Sequence, residues 1–329
     1  MNPSLTDLEK ALLTTLQDPL PICRRPFAEV AARLDEDEET VVDVTRDMWT
    51  QGLIRRFRAQ IDYRALGRIA VLVAASASAE RLDDTIERIN ALPGVSHHYL
   101  RDHEFNLWFT LQGAGIEAID GVLSRLAVEC GVAFHVMPAV RFFKLDVRFR
   151  LTNNAPPPAP SAVTSLTPAL AELTLPEKKV LPRVQTDLPI VAEPFDVVAA
   201  ADLSVAEVLK ALHSLTEKGV LRRIAAVLNH HKLGYSAAAM FCATVEPSRI
   251  IGAGSALAAL PEVSHCYERR PFVGFEHNLF GMIHARSSGE IRNLIQRFTM
   301  TNGIDRFDLL ATIRELKKEP VRVEADDLV

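Results

Sequence analysis

Residues 95–111 read VSHHYLRDHEFNLWFTL, and how this stretch is laid out decides the fold. It reads as two strands joined by a tight acidic turn. Side chains two apart in a strand share a face, so His97, Tyr99 and Arg101 lie together. On the second strand Asn106, Trp108 and Thr110 share one face, and Phe105, Leu107, Phe109 and Leu111 share the other. The apolar face suits packing on helices. A face of imidazole, phenol and guanidinium is a poor core, but it suits a carboxylate-bearing ligand. Arg binds carboxylates bidentately and stays charged. Imidazole, with an ordinary pKa of ~6.5, exchanges protons near neutrality.

The same pattern returns 168 residues later, since His265 stands where His97 stood (265 − 97). ALPGVSHHYLR (91–101) matches ALPEVSHCYER (259–269), which places His265, Tyr267 and Arg269 in the same register. FNLWFTL (105–111) matches HNLFGMI (277–283), with Asn278 in the place of Asn106. GLIRRFRAQIDYRALG (52–67) matches GVLRRIAAVLNHHKLG (219–234). A whole domain is therefore duplicated in tandem. Between the copies, LTNNAPPPAPSAVTSLTPALAELTLP (151–176) is rich in Pro, Ala, Ser and Thr. Such a composition buries little apolar surface and is expected to form an extended or disordered linker.

Each half divides again. Helical periodicity over 5–17, 26–34 and 38–52, followed by LIRRFRAQIDY as a short β-wing, predicts a winged helix-turn-helix. The order that follows is strand, helix, strand, strand, helix, strand, a ferredoxin-like βαββαβ unit. The expected class is α+β, with winged helix-turn-helix units at 1–66 and 177–233 and ferredoxin-like units at 67–150 and 234–329. The two halves are expected to pair as an intramolecular pseudo-dimer with their sheets facing, with a further homodimer open to the chain.

This layout is that of Lrp/AsnC-type proteins, which makes a transcription regulator the first alternative. The charge pattern opposes it. DEDEETVVDVTRDMWT (35–50), the segment that would reach DNA, has seven acids against one base, Arg46. Affinity for DNA comes largely from Lys and Arg contacts to phosphates. The matching segment, 202–219, offers no Arg, Asn or Gln for reading base edges. The net charge of −5 points the same way, and no DNA binding is expected.

Cys23, Cys130, Cys242 and Cys266 are scattered without a CxxC pair, which argues against a disulfide framework or a zinc site. Together with an N-terminus lacking a basic-then-apolar leader, this predicts a cytoplasmic protein. No apolar run approaches the ~20 residues of a membrane span. Six of the ten histidines, His97, His98, His103, His265, His277 and His284, fall on or beside the paired strands. His230 and His231 lie at the second wing.

These stretches resemble a known family. VSHCYER, NLF-x-MIH and LRRIAAVLNHHKLGY look like the A-type (NirD-like) subunit of sirohaem decarboxylase. VSHHYLRDHEFNLWFTL looks like its B-type (NirL-like) partner, so the chain resembles a fused NirD–NirL protein. Two positions depart from the family pattern: Phe105 stands in place of a Tyr, and so does His277. The resemblance implies removal of CO₂ from two acetate side chains of sirohaem, toward haem d1 or, by another route, protohaem. It implies no organic cofactor and no resident metal, since the iron arrives with the substrate. A flat macrocycle rimmed with carboxylates needs apolar walls and cationic anchors. On that reading His97, His103 and His265 are acid or iron-facing groups and Arg101 clamps a carboxylate. Substrate contacts are expected from Tyr99, Asn106, Trp108, Arg56, Arg222, Arg223, His230, His231, Tyr267, Arg269, His277 and Asn278. A tetrapyrrole sensor without turnover is the second alternative.

Overall fold

The computed structural model of the chain describes residues 5–146, 148, 149, 151 and 168–322. Most of the expected linker, 152–167, lies outside them. In the first half, helices α1 (Asp7–Thr15), α2 (Pro26–Leu34) and α3 (Glu38–Thr50) lead into strand β1 (Ile54–Ile61). Local chemistry sets their starts. Thr6 and Glu9 form a reciprocal capping box on α1, Pro26 opens α2, and the Asp37 carboxylate accepts from the Thr40 N–H of α3. The ferredoxin-like unit then runs β2 (Ile69–Ala75), α4 (Leu82–Ala91), β3 (Val95–Arg101), β4 (Leu107–Gly113), α5 (Ile116–Cys130), β5 (Phe134–Met137) and β6 (Ala139–Leu145).

The second half repeats the order. Helices α6 (Leu175–Val184), α7 (Phe195–Val198) and α8 (Val205–Glu217) precede β7 (Leu221–Leu228). After them come β8 (Ala237–Ala243), α9 (Ile250–Ala259), β9 (Val263–Arg269), β10 (Leu279–Ala285), α10 (Ser288–Asn302) and β11 (Phe307–Lys318). The α6 helix begins two residues inside the stretch read as linker, where Thr174 and Glu177 make another capping box.

The halves are stitched together rather than merely set face to face. Each wing is a single strand, and its partner is the other wing: β1 pairs antiparallel with β7. Arg58 lies opposite Ala225, the residue the internal repeat aligns with it, so the local two-fold axis passes between them. The remaining strands form one sheet in the order β5-β2-β4-β3-β11-β8-β10-β9-β6. The segment expected as one strand over 132–145 is split by Pro138, which has no N–H to give to a ladder. Before the break, β5 pairs with β2 of its own half; after it, β6 pairs with β9 of the other. The opposite crossing is made by β11, whose start pairs with β8 and whose end pairs with β3. Because β5 and β6 are consecutive in the chain, the two ends of the strand order meet and the sheet closes around an interior.

Period-2 alternation then assigns each face. One set of residues packs on helices, with Val73, Leu107, Phe109 and Leu111 on α4 and α5, and Phe241, Leu257 and Ile283 in the matching cluster of the second half. The other set faces inward. Ala74, Phe105, Trp108 and Met137 meet Met240, Cys242, Phe275, Phe280 and Leu310 from the other half. Trp108, expected to face a ligand, is 1% exposed inside this plug, and its indole N–H donates to the Phe105 carbonyl at 2.6 Å. Phe105, placed with the helix-facing residues by strict alternation, belongs to the plug as well, because the strand proper starts only at Leu107.

The crossing of β6 leaves a tight joint. A Cβ on Gly254 of α9 would lie 2.4 Å from the Phe143 ring, so helix and exchanged strand touch across a gap only glycine permits. Gly254→Val is expected to cost about 1–3 kcal/mol of stability by overpacking, read as a lower urea midpoint. Adding Phe143→Ala to that variant should recover part of the loss. Purely additive losses would show that α9 and β6 do not press on each other.

Candidate active site

Inside the closed sheet, the two copies of S-H-x-Y-x-R build two matching ladders. Ser96 Oγ lies 3.0 Å from Nδ1 of His97, and Ser264 Oγ lies 3.0 Å from Nδ1 of His265. His97 stacks toward Tyr99 with centroids 6.4 Å apart, and His265 toward Tyr267 at 6.1 Å. Below the phenols, the Arg101 guanidinium lies 5.0 Å over the Tyr99 ring and that of Arg269 4.6 Å over Tyr267. The strand spacing of two residues alone makes such a column possible.

Both arginines are buried, at 3% and 9% exposure. Arg101 donates through Nη1 to the Leu310 carbonyl and to Thr312 Oγ1, each at 3.1 Å. Arg269 donates through Nη1 to the Met137 carbonyl at 2.8 Å. Each bond crosses to a strand of the other half. The Nε–H of both guanidinium groups has no partner among the described residues. Among the described residues no carboxylate pairs with either, and burial lowers the pKa of Arg101 to about 10 and that of Arg269 below its usual range. A buried cation with an unspent donor is costly, and such groups mark places where a ligand supplies the acceptor.

Above the ladders sits an imidazole cluster. His230 approaches His231 with centroids at 4.1 Å and His284 at 5.2 Å, and Phe149 packs on both His230 and His284 at 5.7 Å. Desolvation, helped by neighbouring cations, lowers His97 to about 4 and His230, His265 and His284 to about 3. All four rings are neutral at neutral pH. Burial pushes the Tyr99 phenol up to about 12 and raises Tyr267 too, so both keep their O–H. Nδ1 of His284 is buried without a partner among the described residues. Among the described residues, no three His, Cys, Asp or Glu side chains come together as a metal-holding group.

Not every residue singled out from sequence arrives here. His103 lies past the end of β3, in the turn that leads to β4. There its Nδ1 accepts from the Phe105 N–H at 3.0 Å, and its ring packs on Phe105 and Phe275 at the plug end. His277 stands at that end too, bonded to Asp308 at 2.7 Å and Thr244 at 3.0 Å. The Asn106 amide is spent on the backbone of Ala77, and that of Asn278 on the backbone of Val245. Arg56 turns to Asp187 at 3.5 Å, and Arg223 to Asp146 at 2.8 Å. Arg222 donates to the Leu145 carbonyl at 2.7 Å, and its charge reaches His265. Three residues outside the expected set join the site: Arg55, His284 and Lys318. Arg55 lies 3.8 Å from Glu315, which also holds Lys318 at 3.4 Å. His284 was within reach of pattern reading, since it shares a face with Phe280 and Met282. Its counterpart in the first half is Gln112, so a search for repeated residues passes over it.

A duplicated AsnC-type body with inward-facing imidazole and guanidinium ladders defines the class: a ligand-binding fold equipped for proton chemistry on an anion. Comparison with known proteins agrees. The model for the AsnC-like ligand binding domain matches residues 65–144 and 232–317, and that for the siroheme decarboxylase NirDL-like HTH domain matches 9–55 and 177–222. The chain is 31% identical over 319 residues to the siroheme decarboxylase of Hydrogenobacter thermophilus, spanning 96% of this chain and 95% of the relative. It is also 31% identical over 294 residues to the siroheme decarboxylase NirDL subunit of Paracoccus denitrificans, covering 89% of each. A crystal structure of the siroheme decarboxylase NirDL in co-complex with an iron-uroporphyrin III analogue superposes with a TM-score of 0.75 at 28% identity, covering 98% of this chain and 96% of that one. The chain belongs to the sirohaem decarboxylase family, in its fused two-half form.

The buried neutral imidazoles make stability depend on pH with a definite sign. Their folded pKa values lie below the ordinary ~6.5 of an unfolded chain, so below that pH the unfolded state takes up protons first. Stability is therefore full above about pH 6.5 and is lost as pH falls toward about pH 3. Urea midpoints measured across that range should decline, and His265→Gln should flatten the decline. An identical slope in that variant would show that His265 is not held neutral by burial.

Proposed function

We propose that this chain removes CO₂ from two acetate side chains of sirohaem to give didecarboxysirohaem, with the iron brought by the substrate and no organic cofactor. The observation that carries this reading is the pair of buried guanidinium groups, Arg101 and Arg269, each with a free Nε–H. They lie between an aromatic plug and a cluster of imidazoles. A macrocycle with apolar faces and a carboxylate rim matches each part. Its carboxylates would satisfy the guanidinium donors as charge-assisted hydrogen bonds.

The proton balance follows from the same geometry. Loss of CO₂ from a ring acetate leaves an electron pair on the methylene carbon, and one proton completes the methyl group. Burial by the protein's own groups holds the imidazoles neutral. A bound carboxylate within ~4–6 Å raises the pKa of a neighbouring imidazole, so His97 or His265 becomes a proton donor when substrate is present. The iron-uroporphyrin III analogue bound by the related NirDL supports a tetrapyrrole as the ligand of this fold. The acids that dominate 35–50 support a structural role for the winged helices in place of DNA reading.

Anaerobic incubation of the purified chain with sirohaem should yield a product lighter by two molecules of CO₂. Binding without mass loss would leave a sensor. His97→Ala and His265→Ala should each slow turnover by about 100-fold or more while sirohaem still binds. Arg101→Gln should loosen binding at least about tenfold. His103→Ala, at the plug end, should keep most of its activity.

A further inference from the structure

The two ladders match, but what stands opposite them does not. On β3, His97 pairs with Lys318 and Tyr99 with Glu315, both from β11 of the second half. On β9, the equivalent His265 pairs with Leu145 and Tyr267 with Phe142, both from β6. One exchanged strand therefore sets an ammonium and a carboxylate beside its ladder, and the other sets two apolar side chains beside the second ladder. The asymmetry continues around the cluster. By the internal repeat, Tyr63 and Arg64 correspond to His230 and His231, and Gln112 to His284.

Lys318 is held where an anion can reach it. Its Nζ lies 3.4 Å from Glu315, and Glu315 is shared with Arg55 of β1 at 3.8 Å. Two cations on one carboxylate leave a net positive charge at the junction of wing, β3 and β11. Lys318 keeps 26% of its side chain exposed. Its charge is also the one felt in common by His97, His230, His265 and His284. Desolvation lowers the pKa of the ammonium itself, so an incoming anion stabilises it.

We propose that Lys318 is the anchor for a substrate carboxylate and places one acetate among His97, His230, His265 and His284. The proposal rests on the sirohaem reading for the identity of the anion. A purely structural role, as the partner of Glu315, is the competing account. Glu315→Gln separates them, because it removes the ion pair and leaves the ammonium in place.

The test is an anaerobic titration of sirohaem, followed by its Soret band, on the full chain and three variants. Lys318→Met should loosen binding about tenfold or more, and Lys318→Arg should restore most of it. Glu315→Gln should bind as tightly as the unaltered chain or more tightly. Turnover measured as a function of sirohaem concentration should show the Lys318→Met defect mainly in KM. Unchanged binding in Lys318→Met, or equal loss in Lys318→Met and Glu315→Gln, would overturn the proposal. If Lys318→Met does not fold, as judged by circular dichroism, the Glu315→Gln titration decides: weaker binding there overturns it. The binding readout does not depend on turnover. A chain that binds sirohaem without losing CO₂ ends the decarboxylase reading and leaves the Lys318 test standing.

Discussion

Two buried positive charges, with no carboxylate partner among the described residues, constrain everything around them. Arg101 and Arg269 are tied to carbonyls of strands from the opposite half, at 3.1 Å and 2.8 Å. Those bonds hold each guanidinium in place over a tyrosine ring, but they do not neutralise it. Uncompensated buried charge is among the costliest features a fold can carry. The surrounding framework must therefore be stiff enough to keep both groups in, and the strand exchange provides that stiffness. A β11 that pairs with β8 at one end and β3 at the other cannot leave without breaking ladders in both halves.

The electrostatics of the site follow from the same arrangement. Cations come from the ladders, from Arg55 and Arg222 on the wings, and from Lys318 on the exchanged strand. In that field a second positive charge on an imidazole is doubly disfavoured, by burial and by its neighbours, and the histidines stay neutral. The site is thus primed for an anion and short of protons.

Duplication explains why the parts are where they are, and divergence explains what they do. The Ser-His-Tyr-Arg column and the Asn that clamps the neighbouring loop are the same in both halves. Asn106 and Asn278 were read as ligand contacts because they recur beside the ladders. They recur because each bonds both backbone groups of one loop residue, Ala77 or Val245. Repetition marks what both copies of a fold require, structural or chemical. The residues that differ, Lys318 against Leu145 and His284 against Gln112, are those that make the site one-sided.

The sequence by itself determined the tandem α+β plan, the sequence family, and which face of each strand carries His97, Tyr99 and Arg101. Those features are local: alternation, caps and turns are written into neighbouring residues. It did not determine which strand lies beside which. Backbone ladders use N–H and C=O groups common to all residues, so period-2 alternation names a face and not a partner. In a duplicated chain, β6 has the same hydrogen-bonding capacity toward either half. Only the tertiary structure settled that it crosses over, that Trp108 is sealed in a plug, and that His103 ends far from His97. It also placed Lys318 opposite His97, 221 residues away in the chain (318 − 97), because pairing across the exchange is decided by closure of the whole sheet.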